Sequence, residues 1–236
     1  MRRLSIEKVF DDNKVLAHRI LARAACFTFL VFGGARRQFG RSGQVCFAGN
    51  GWEGRHAGRR GAMISPATLV LAGETLRQCE ILGVRMVTAE SCTGGLIAAA
   101  LTSQPGSSSV FDRAFVVYSY EAKREVLGIE IEALQGYGAV SEIVARAMAE
   151  NALQRSEGRV RLSIAATGVA GPSRSATKPV GLVHLAAAGI GLVTLHERHE
   201  FGDRPRHEVR DLTVSAALRL VLRQLQIIKK SLGGEP

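Results

Sequence analysis

The sequence predicts an α/β fold, a three-layer α/β/α sandwich with a mixed, mostly parallel sheet. From Met63 onward, stretches with a helical spacing of apolar residues alternate with short apolar runs typical of buried strands. This alternation is the order that builds a sheet covered by helices. The 236 residues are 46% hydrophobic and 22% charged, which is ordinary globular usage and excludes wholesale disorder, a collagen-like chain and a coiled coil.

The positive charge is concentrated at the start of the chain. Residues 1–62 hold 12 Lys or Arg against 4 Asp or Glu, whereas residues 63–236 hold 19 against 17. We therefore predict a basic, Gly- and Arg-rich extension over 1–62, disordered or artefactual, followed by a near-neutral domain over 63–236. A nucleic-acid-binding tail is the alternative interpretation of the extension, but the domain itself gives no support for a nucleic-acid partner.

Membrane and metal partners are not expected. The apolar run over residues 20–32 is interrupted by Arg23 and is shorter than the roughly 20 residues that span a bilayer. The cysteines, at positions 26, 46, 79 and 92, form no C-x-x-C pair and lack the spacing of a zinc site. These features predict a cytoplasmic protein with reduced thiols, no bound metal and no membrane association.

The first predicted element of the domain is a helix that begins at Ser65-Pro66, a typical N-cap and first-turn pair, and ends at Gly83. Residues 84–89 are a short apolar run that suits a buried strand. The polar turn ESCTGG, residues 90–95, follows directly and leads into a helix over 96–101. This strand, turn and helix carry the clearest functional signal in the chain.

The later elements continue the alternation of strands and helices. Ser141 is a typical N-cap, and Glu142 in the first turn interacts favourably with the helix dipole. The turn Gly189-Ile190-Gly191 predicts a hairpin. The full set is a strand over 114–118, helices over 121–127 and 142–153, a strand over 161–167, strands over 181–188 and 192–199, and a last helix that starts near Asp203 and Pro205.

Ser91 is the first candidate for chemistry because it lies at the tip of a predicted strand. Backbone N–H groups at the helix start, around Thr93, Gly94 and Gly95, are able to hold a phosphate or a developing oxyanion. From this segment alone, a plain N-cap role for Ser91 or Thr93 is the simpler explanation.

A nucleophilic serine needs a base, and the histidines do not supply one. None follows the C-terminal end of a predicted strand, and the chain has no G-x-S-x-G elbow, which argues against a Ser-His-Asp hydrolase. A metal site at His196, His199 and His207 is a weak alternative, because strand residues three apart point to opposite faces. We interpret these three as surface histidines.

Lys123 is the candidate base, because a desolvated lysine loses its proton at working pH. It follows the strand 114–118 in a position like that of Ser91, and the hydroxyl of Tyr118 is able to relay a proton. Loops at the carboxyl ends of strands in an open α/β sheet converge on one crevice. A solvated lysine beside Glu121 and Glu125 is the alternative interpretation.

Several long motifs resemble a known family. They are TAESCTGG, VVYSYEAK, GAVSEIVARAMAENAL, SIAATGVAGP, KPVGLVHLA and FGDRPRHEVR, all after Met63. Together they resemble the C-terminal domain of the CinA (competence/damage-inducible) family, whose members act as nicotinamide-nucleotide amidases. The resemblance implies hydrolysis of the carboxamide of nicotinamide mononucleotide to nicotinic acid mononucleotide and ammonia, without a cofactor. It covers none of residues 1–62.

The resemblance also implies roles for individual residues. Ser91 matches the family's nucleophile, and Tyr118 and Lys123 match the tyrosine and lysine of its Y-S-x-E-A-K motif, so that Lys123 with Tyr118 would deprotonate Ser91. The implied substrate-binding residues come from the polar turn, from the A-x-T-G-x-A-G-P motif and from the F-x-G-D-R motif, and they are Thr93, Gly94, Gly95, Thr167, Gly168 and Arg204.

Two departures from the family pattern bear on substrate preference. Tyr120 stands where the family usually has Asn, and Gly171-Pro172-Ser173-Arg174-Ser175 stands where it usually has a G-P-G-G-G loop. Ser and Arg restrict positive-φ conformations and add bulk. The alternative function is therefore a catalytically silent nucleotide-binding module with a competence- or damage-linked role. The apolar helix faces are also compatible with a homo-oligomer.

Overall fold

The computed structural model describes residues 63–156, 158, 160–173 and 177–231. The predicted extension over 1–62 and the loop residues Arg174 and Ser175 lie outside the described residues. The elements in chain order are α1 (Pro66–Ile81), β1 (Arg85–Glu90), α2 (Leu96–Thr102), a 3-10 turn (Ser107–Ser109), β2 (Phe111–Val116), α3 (Tyr120–Leu127), α4 (Ile131–Tyr137), α5 (Glu142–Gln154), β3 (Val160–Gly168), β4 (Leu182–Gly189), β5 (Leu195–Glu200) and α6 (Arg206–Ser231).

The strands form one mixed sheet in the order β2-β1-β3-β4-β5. β1 is parallel to both of its neighbours, β2 and β3, whereas β4 is antiparallel to β3 and to β5. Four of the five strands in this sheet therefore point in the same direction, which confirms the predicted mixed sheet and the predicted β4–β5 hairpin. The C-terminal ends of β1, β2 and β3 meet at one edge, so the loops that follow them lie side by side.

Helices cover both faces of the sheet, which confirms the predicted three-layer sandwich. Successive residues of a strand point to opposite faces. In β3, Ile164 packs into a core formed with α1, α2 and α6, and Ala165 packs into a core formed with α3, α4 and α5. Each fully buried Leu, Ile or Met side chain in these cores contributes roughly 1.5–3 kcal/mol through removal of apolar surface from water. The strand β1 is thus packed on both faces and paired along both edges.

Two predicted helix starts are confirmed by their capping bonds. The side-chain oxygen of Ser65 accepts a hydrogen bond from the Thr68 N–H at 3.3 Å, with Pro66 in the first turn of α1. The side-chain oxygen of Ser141 accepts one from the Val144 N–H at 3.3 Å at the start of α5. Each cap satisfies an N–H group that has no partner within its own helix.

Three elements differ most from the prediction: α4, β2, and β5, which begins at Leu195, three residues after its predicted start. The sequence pattern does not predict α4, because this helix is short, contains Gly136, and has an N-cap residue, Glu130, that makes no side-chain capping bond. β2 begins at Phe111, three residues before the predicted start. The prediction missed these residues because the polar side chains of Asp112 and Arg113 interrupt the apolar run by which a strand is recognised. Among the described helices, none has the length and apolar character needed to cross a membrane.

Candidate active site

Ser91 lies directly after β1, at the edge where β1, β2 and β3 end. Its backbone N–H donates to the Ala166 carbonyl of β3 at 2.9 Å, so the sheet fixes its main chain. Its side chain is buried, with the residue 8% exposed. The chain then turns into α2 through Gly94 and Gly95, whose φ values of 58° and 90° are rarely adopted by other residues. The local backbone therefore presents Ser91 at the C-terminal edge of the sheet.

Lys123 Nζ lies 2.9 Å from Ser91 Oγ. The lysine comes from α3, the helix that follows β2, and Ser119 caps this helix with its side-chain oxygen. Lys123 is 0% exposed, and its Nζ also donates to the carbonyls of Val117 at 2.7 Å and Tyr118 at 3.1 Å. The structure thus brings together the serine and the lysine that the sequence predicts as nucleophile and base.

Burial of Lys123 makes its neutral form accessible near neutral pH. Burial lowers the pKa of its amine to about 8. An ammonium group has three donors, whereas the neutral amine keeps two donors and a lone pair. When the amine is neutral and its two donors stay on the carbonyls of Val117 and Tyr118, its lone pair faces the Ser91 hydroxyl. In the structure Lys123 Nζ donates to Ser91 Oγ. Once the amine has lost a proton, the Ser91 hydroxyl donates to it, which is the hydrogen bond that a general base requires.

Cys92 follows Ser91 but does not compete with it as a nucleophile. Burial raises the pKa of the Cys92 thiol to about 12, so the group is protonated at neutral pH. Because the thiolate is the reactive form of cysteine, this thiol is inert there. Ser91 is therefore the candidate nucleophile of the turn.

Glu90, the last residue of β1, occupies the first amides of α2. Its carboxylate is fully buried and accepts hydrogen bonds from the N–H groups of Ile97 at 3.0 Å and Ala98 at 2.9 Å. These two amides are therefore occupied, and they are distinct from the N–H groups around Thr93, Gly94 and Gly95 that the sequence predicts as anion-binding groups.

The other polar groups of the turn make fewer hydrogen bonds within the protein. The Gly94 N–H donates to the Ser91 carbonyl at 3.1 Å. Within the part of the chain that the structure describes, the N–H groups of Thr93 and Gly95 have no protein acceptor, and the buried Thr93 hydroxyl has no hydrogen-bond partner. These groups lie within four residues of Ser91 and are able to bind a polar ligand.

Tyr118 approaches Lys123 with its backbone rather than its hydroxyl. The Tyr118 carbonyl accepts from Lys123 Nζ, whereas its side chain is 63% exposed and its hydroxyl accepts a hydrogen bond from Arg206 at 3.1 Å. The geometry therefore does not bring the Tyr118 hydroxyl to the position of a proton relay between Lys123 and Ser91.

Arg204 makes its contacts with Phe201 and Glu208 and not with the Ser91 turn. Its Nε donates to the Phe201 carbonyl at 2.9 Å, and one guanidinium nitrogen lies 3.7 Å from the Glu208 carboxylate. Its side chain is exposed. The structure thus connects Arg204 with its own neighbourhood before α6 and not with Ser91 or Lys123.

Two arginines that sequence reasoning missed contact the site instead. Arg206 donates to the Gly171 carbonyl at 2.6 Å and to the Tyr118 hydroxyl. Arg210 donates to the Thr93 carbonyl at 2.6 Å. The signal that could have found them is their spacing, since residues four apart share one face of a helix.

Thr167 and Tyr120 both bind the main chain of Ala139. The Thr167 hydroxyl donates to the Ala139 carbonyl at 2.7 Å, and the Tyr120 hydroxyl accepts from the Ala139 N–H at 3.1 Å. Gly168 follows at the end of β3, where a side-chain Cβ would lie 2.8 Å from the Leu182 carbonyl oxygen. These three residues therefore shape the loops beside the site, and Tyr120 is tied to the segment before α5.

Comparison with known proteins identifies the family. Residues 70–225, which include Ser91 and Lys123, match the family model described as the CinA C-terminal domain. The chain belongs to the CinA C-terminal domain family. The resemblance noted in the sequence motifs is therefore confirmed.

Relatives and solved structures agree with this assignment. A CinA-like protein from Syntrophobacter fumaroxidans is 46% identical over 156 residues, which are 66% of this chain and 35% of that protein. A CinA-like protein from Acidobacterium capsulatum is 45% identical over 159 residues, covering 65% of this chain and 37% of that protein. This CinA-family chain therefore spans about a third of the length of the curated relatives it matches.

Among solved structures, the competence/damage inducible protein CihA from Agrobacterium tumefaciens is 46% identical with a TM-score of 0.66. That match covers 70% of this chain and 99% of that chain. A CinA superfamily protein from Klebsiella pneumoniae 700603 is 32% identical with a TM-score of 0.64, covering 67% and 98% of the two chains.

The histidines of this CinA-family domain do not form a metal site in the described residues. His184 Nδ1 and His196 Nε2 lie 3.0 Å apart with their rings stacked, and burial lowers the pKa of His184 to about 4, so His184 is neutral. Across the described ranges, no cluster of three His, Cys, Asp or Glu side chains has the arrangement to bind a metal ion. The surface interpretation fits His207, which is exposed, but is wrong for His196, whose side chain is 11% exposed.

Proposed function

We propose that this CinA-family domain is an amidase that hydrolyses the carboxamide of nicotinamide mononucleotide, releasing nicotinic acid mononucleotide and ammonia. The observation that carries the proposal is the buried contact of 2.9 Å between Lys123 Nζ and Ser91 Oγ. A serine becomes a strong nucleophile when an adjacent base removes its proton, and a lysine performs this task when desolvation lowers its pKa. Membership of the family supports the choice of substrate.

In the first half of the reaction, the Ser91 hydroxyl gives its proton to neutral Lys123 while Oγ attacks the amide carbon. The C=O bond of the amide opens to an oxyanion, and the tetrahedral intermediate then expels the amide nitrogen. Lys123, now an ammonium group, returns the proton to that nitrogen, so the leaving group departs as ammonia. The product of this half-reaction is an ester between Ser91 and the nicotinic acid moiety.

In the second half, water replaces ammonia at the same position. Neutral Lys123 takes a proton from the water molecule, whose oxygen attacks the ester carbon and forms a second tetrahedral intermediate. The intermediate expels Ser91 Oγ, which recovers its proton from Lys123, and the carboxylic acid product leaves. Each step balances with the side chains of Ser91 and Lys123 alone, so the mechanism requires neither a metal ion nor an organic cofactor.

Positive and hydrogen-bonding groups beside Ser91 support an anionic substrate. The N–H groups of Thr93 and Gly95 are candidates for the oxyanion, because backbone donors aimed at a developing charge stabilise the transition state. The guanidinium groups of Arg206 and Arg210 contact the loops around Ser91 and are candidates for the phosphate, which arginine binds through parallel hydrogen bonds.

The test is ammonia release from nicotinamide mononucleotide by the wild type, by Ser91→Ala and by Lys123→Ala, each with and without a chelator. We expect turnover by the wild type that survives the chelator and disappears in both variants. Lys229→Ala, an exposed lysine in the last turn of α6, is the matched control and is expected to retain wild-type activity. If the wild type binds the nucleotide without releasing ammonia, the amidase proposal fails and the silent binding module replaces it.

A further inference from the structure

We infer that Glu90 is a positioning residue that holds Ser91 and Lys123 in reacting geometry. The inference rests on the proposed function, because it assigns Glu90 to the same pair of side chains. Glu90 is the last residue of β1, immediately precedes Ser91, and is 0% exposed. Its contacts reach both members of the pair by separate routes, one through the side chain and one through the main chain.

The side chain of Glu90 closes the turn that carries Ser91. Its Oε2 accepts from the Ile97 N–H at 3.0 Å, and its Oε1 accepts from the Ala98 N–H at 2.9 Å and from the Thr88 hydroxyl at 3.0 Å. The turn is therefore anchored at its start by the β1 backbone and at its end by the carboxylate. A negative charge at a helix N-terminus is also favourable, which strengthens the anchor.

The main chain of Glu90 supports Lys123. The Glu90 carbonyl accepts from the Val117 N–H at 2.8 Å, and the Val117 carbonyl accepts from Lys123 Nζ at 2.7 Å. One residue, Val117, therefore links Glu90 to the lysine amine through hydrogen bonds, while a peptide bond joins Glu90 to Ser91. A displacement of Glu90 shifts the supports of both reacting atoms.

The requirement is for a carboxylate and not simply for a polar side chain of this size. A carboxylate offers acceptor oxygens to both amides at the start of α2, whereas a carboxamide replaces one oxygen by an N–H donor. In E90Q that donor would face the N–H of Ile97 or Ala98, which leaves one amide without an acceptor. The turn is then anchored by a single bond, and Ser91 Oγ is free to move away from Lys123.

The test compares E90Q with T88V in the full chain. T88V removes one hydrogen bond to the same carboxylate but leaves both amides of α2 bound, so it controls for a general loss of stability. With nicotinamide mononucleotide as substrate, we expect E90Q to lower kcat about 10- to 100-fold with KM unchanged within about twofold, because small misplacements of reacting groups have effects of this size. We expect T88V to keep kcat within about twofold. Equal kcat values for E90Q and the wild type would overturn the inference.

A second readout separates this inference from the amidase proposal. If the wild type releases no ammonia, the proposed function fails, and crystal structures of the wild type and E90Q still decide the role of Glu90. We expect Ser91 Oγ and Lys123 Nζ to lie farther apart than about 3.5 Å in E90Q, beyond hydrogen-bonding distance. A contact unchanged from the wild type would overturn the inference.

A second variant, which keeps the carboxylate, provides the test if E90Q does not fold. E90D retains the carboxylate but is one methylene shorter and cannot reach both amides, so it carries the same expectations for kcat and for the Ser91–Lys123 distance. If neither E90Q nor E90D folds, as judged by circular dichroism, the role of Glu90 is structural and the inference is overturned.

Discussion

Ser91 Oγ and Lys123 Nζ lie 2.9 Å apart although the two residues are 32 positions apart in the sequence. The parallel pairing of β1 with β2, in which Glu90 is opposite Val116, brings the residues after the two strands side by side. The helix α3 then directs Lys123 back over the strand end, where two backbone carbonyls accept its donors. The pair therefore depends on long-range strand pairing and not on any local sequence motif.

The activity should depend on pH through Lys123. Burial lowers the pKa of this amine to about 8, and only the neutral amine accepts the Ser91 proton. We therefore expect kcat/KM to fall about tenfold for each pH unit below about 8 and to level off above it. The measurement is ammonia release from nicotinamide mononucleotide between about pH 6 and about pH 10. A profile that is flat across this range would exclude Lys123 as the base.

The stability should depend on pH through the same group. The folded pKa of Lys123, about 8, is lower than the ordinary value of 10.5, so between these values the unfolded chain binds more protons than the folded chain. The free energy of unfolding therefore rises with pH across this window. Burying the charged amine lowers the free energy of unfolding by about 3 kcal/mol. This loss is fully present below about pH 8 and disappears above about pH 10.5.

Urea unfolding of the wild type and of Lys123→Met measures this linkage, because the variant has no amine to titrate. We expect the wild type to gain stability relative to Lys123→Met as the pH rises from about 8 to about 10.5. A stability difference that does not change with pH would contradict the burial of an ionisable amine at this position.

Arg206 should affect substrate binding more than Arg204. Arg206 contacts Gly171 and Tyr118 in two loops of the site, whereas the contacts of Arg204 lie elsewhere. We expect Arg206→Ala to raise KM for nicotinamide mononucleotide about tenfold, which corresponds to about 1.4 kcal/mol of binding free energy. Arg219→Ala, an exposed arginine later in α6, is the control. A larger rise in KM for Arg204→Ala than for Arg206→Ala would restore the motif-based assignment.

Gly168→Ala should destabilise the fold. A Cβ at this position would lie 2.8 Å from the Leu182 carbonyl oxygen and 3.1 Å from the Val183 Cα, so the β3–β4 pairing must shift to admit it. We expect a loss of about 1–3 kcal/mol in the free energy of unfolding, the usual effect of overpacking. Gly136→Ala is the matched control, since its Cβ meets nothing within 4 Å. Equal unfolding midpoints for the two variants would contradict this steric account.

Much of the fold could be predicted because its signals are local. The apolar run before Glu90, the glycines after it and the caps Ser65 and Ser141 each mark an element within a few residues. The helix α4 lacks such signals: its packing against α5 compensates for Gly136 and for the missing cap, and packing is not visible in a single sequence.

The site was harder to predict because it depends on which atom of a residue points inward. The sequence predicts a role for the Tyr118 hydroxyl, but in the structure it is the Tyr118 backbone carbonyl that accepts a hydrogen bond from Lys123. The role of Glu90 was also not predicted: its carboxylate accepts from the N–H groups of Ile97 and Ala98, and only the three-dimensional path of the turn reveals this contact.

The position of β2 at the edge of the sheet has a consequence for the behaviour of the domain on warming. Ser91 follows β1, which is paired on both sides, whereas Lys123 follows β2, which in the described sheet is paired with β1 alone. Edge elements open locally at a lower free energy than central ones. Heating is therefore expected to detach the lysine from the serine while the rest of the sheet is intact, so that activity is lost, reversibly, at a lower temperature than the cooperative unfolding of the domain.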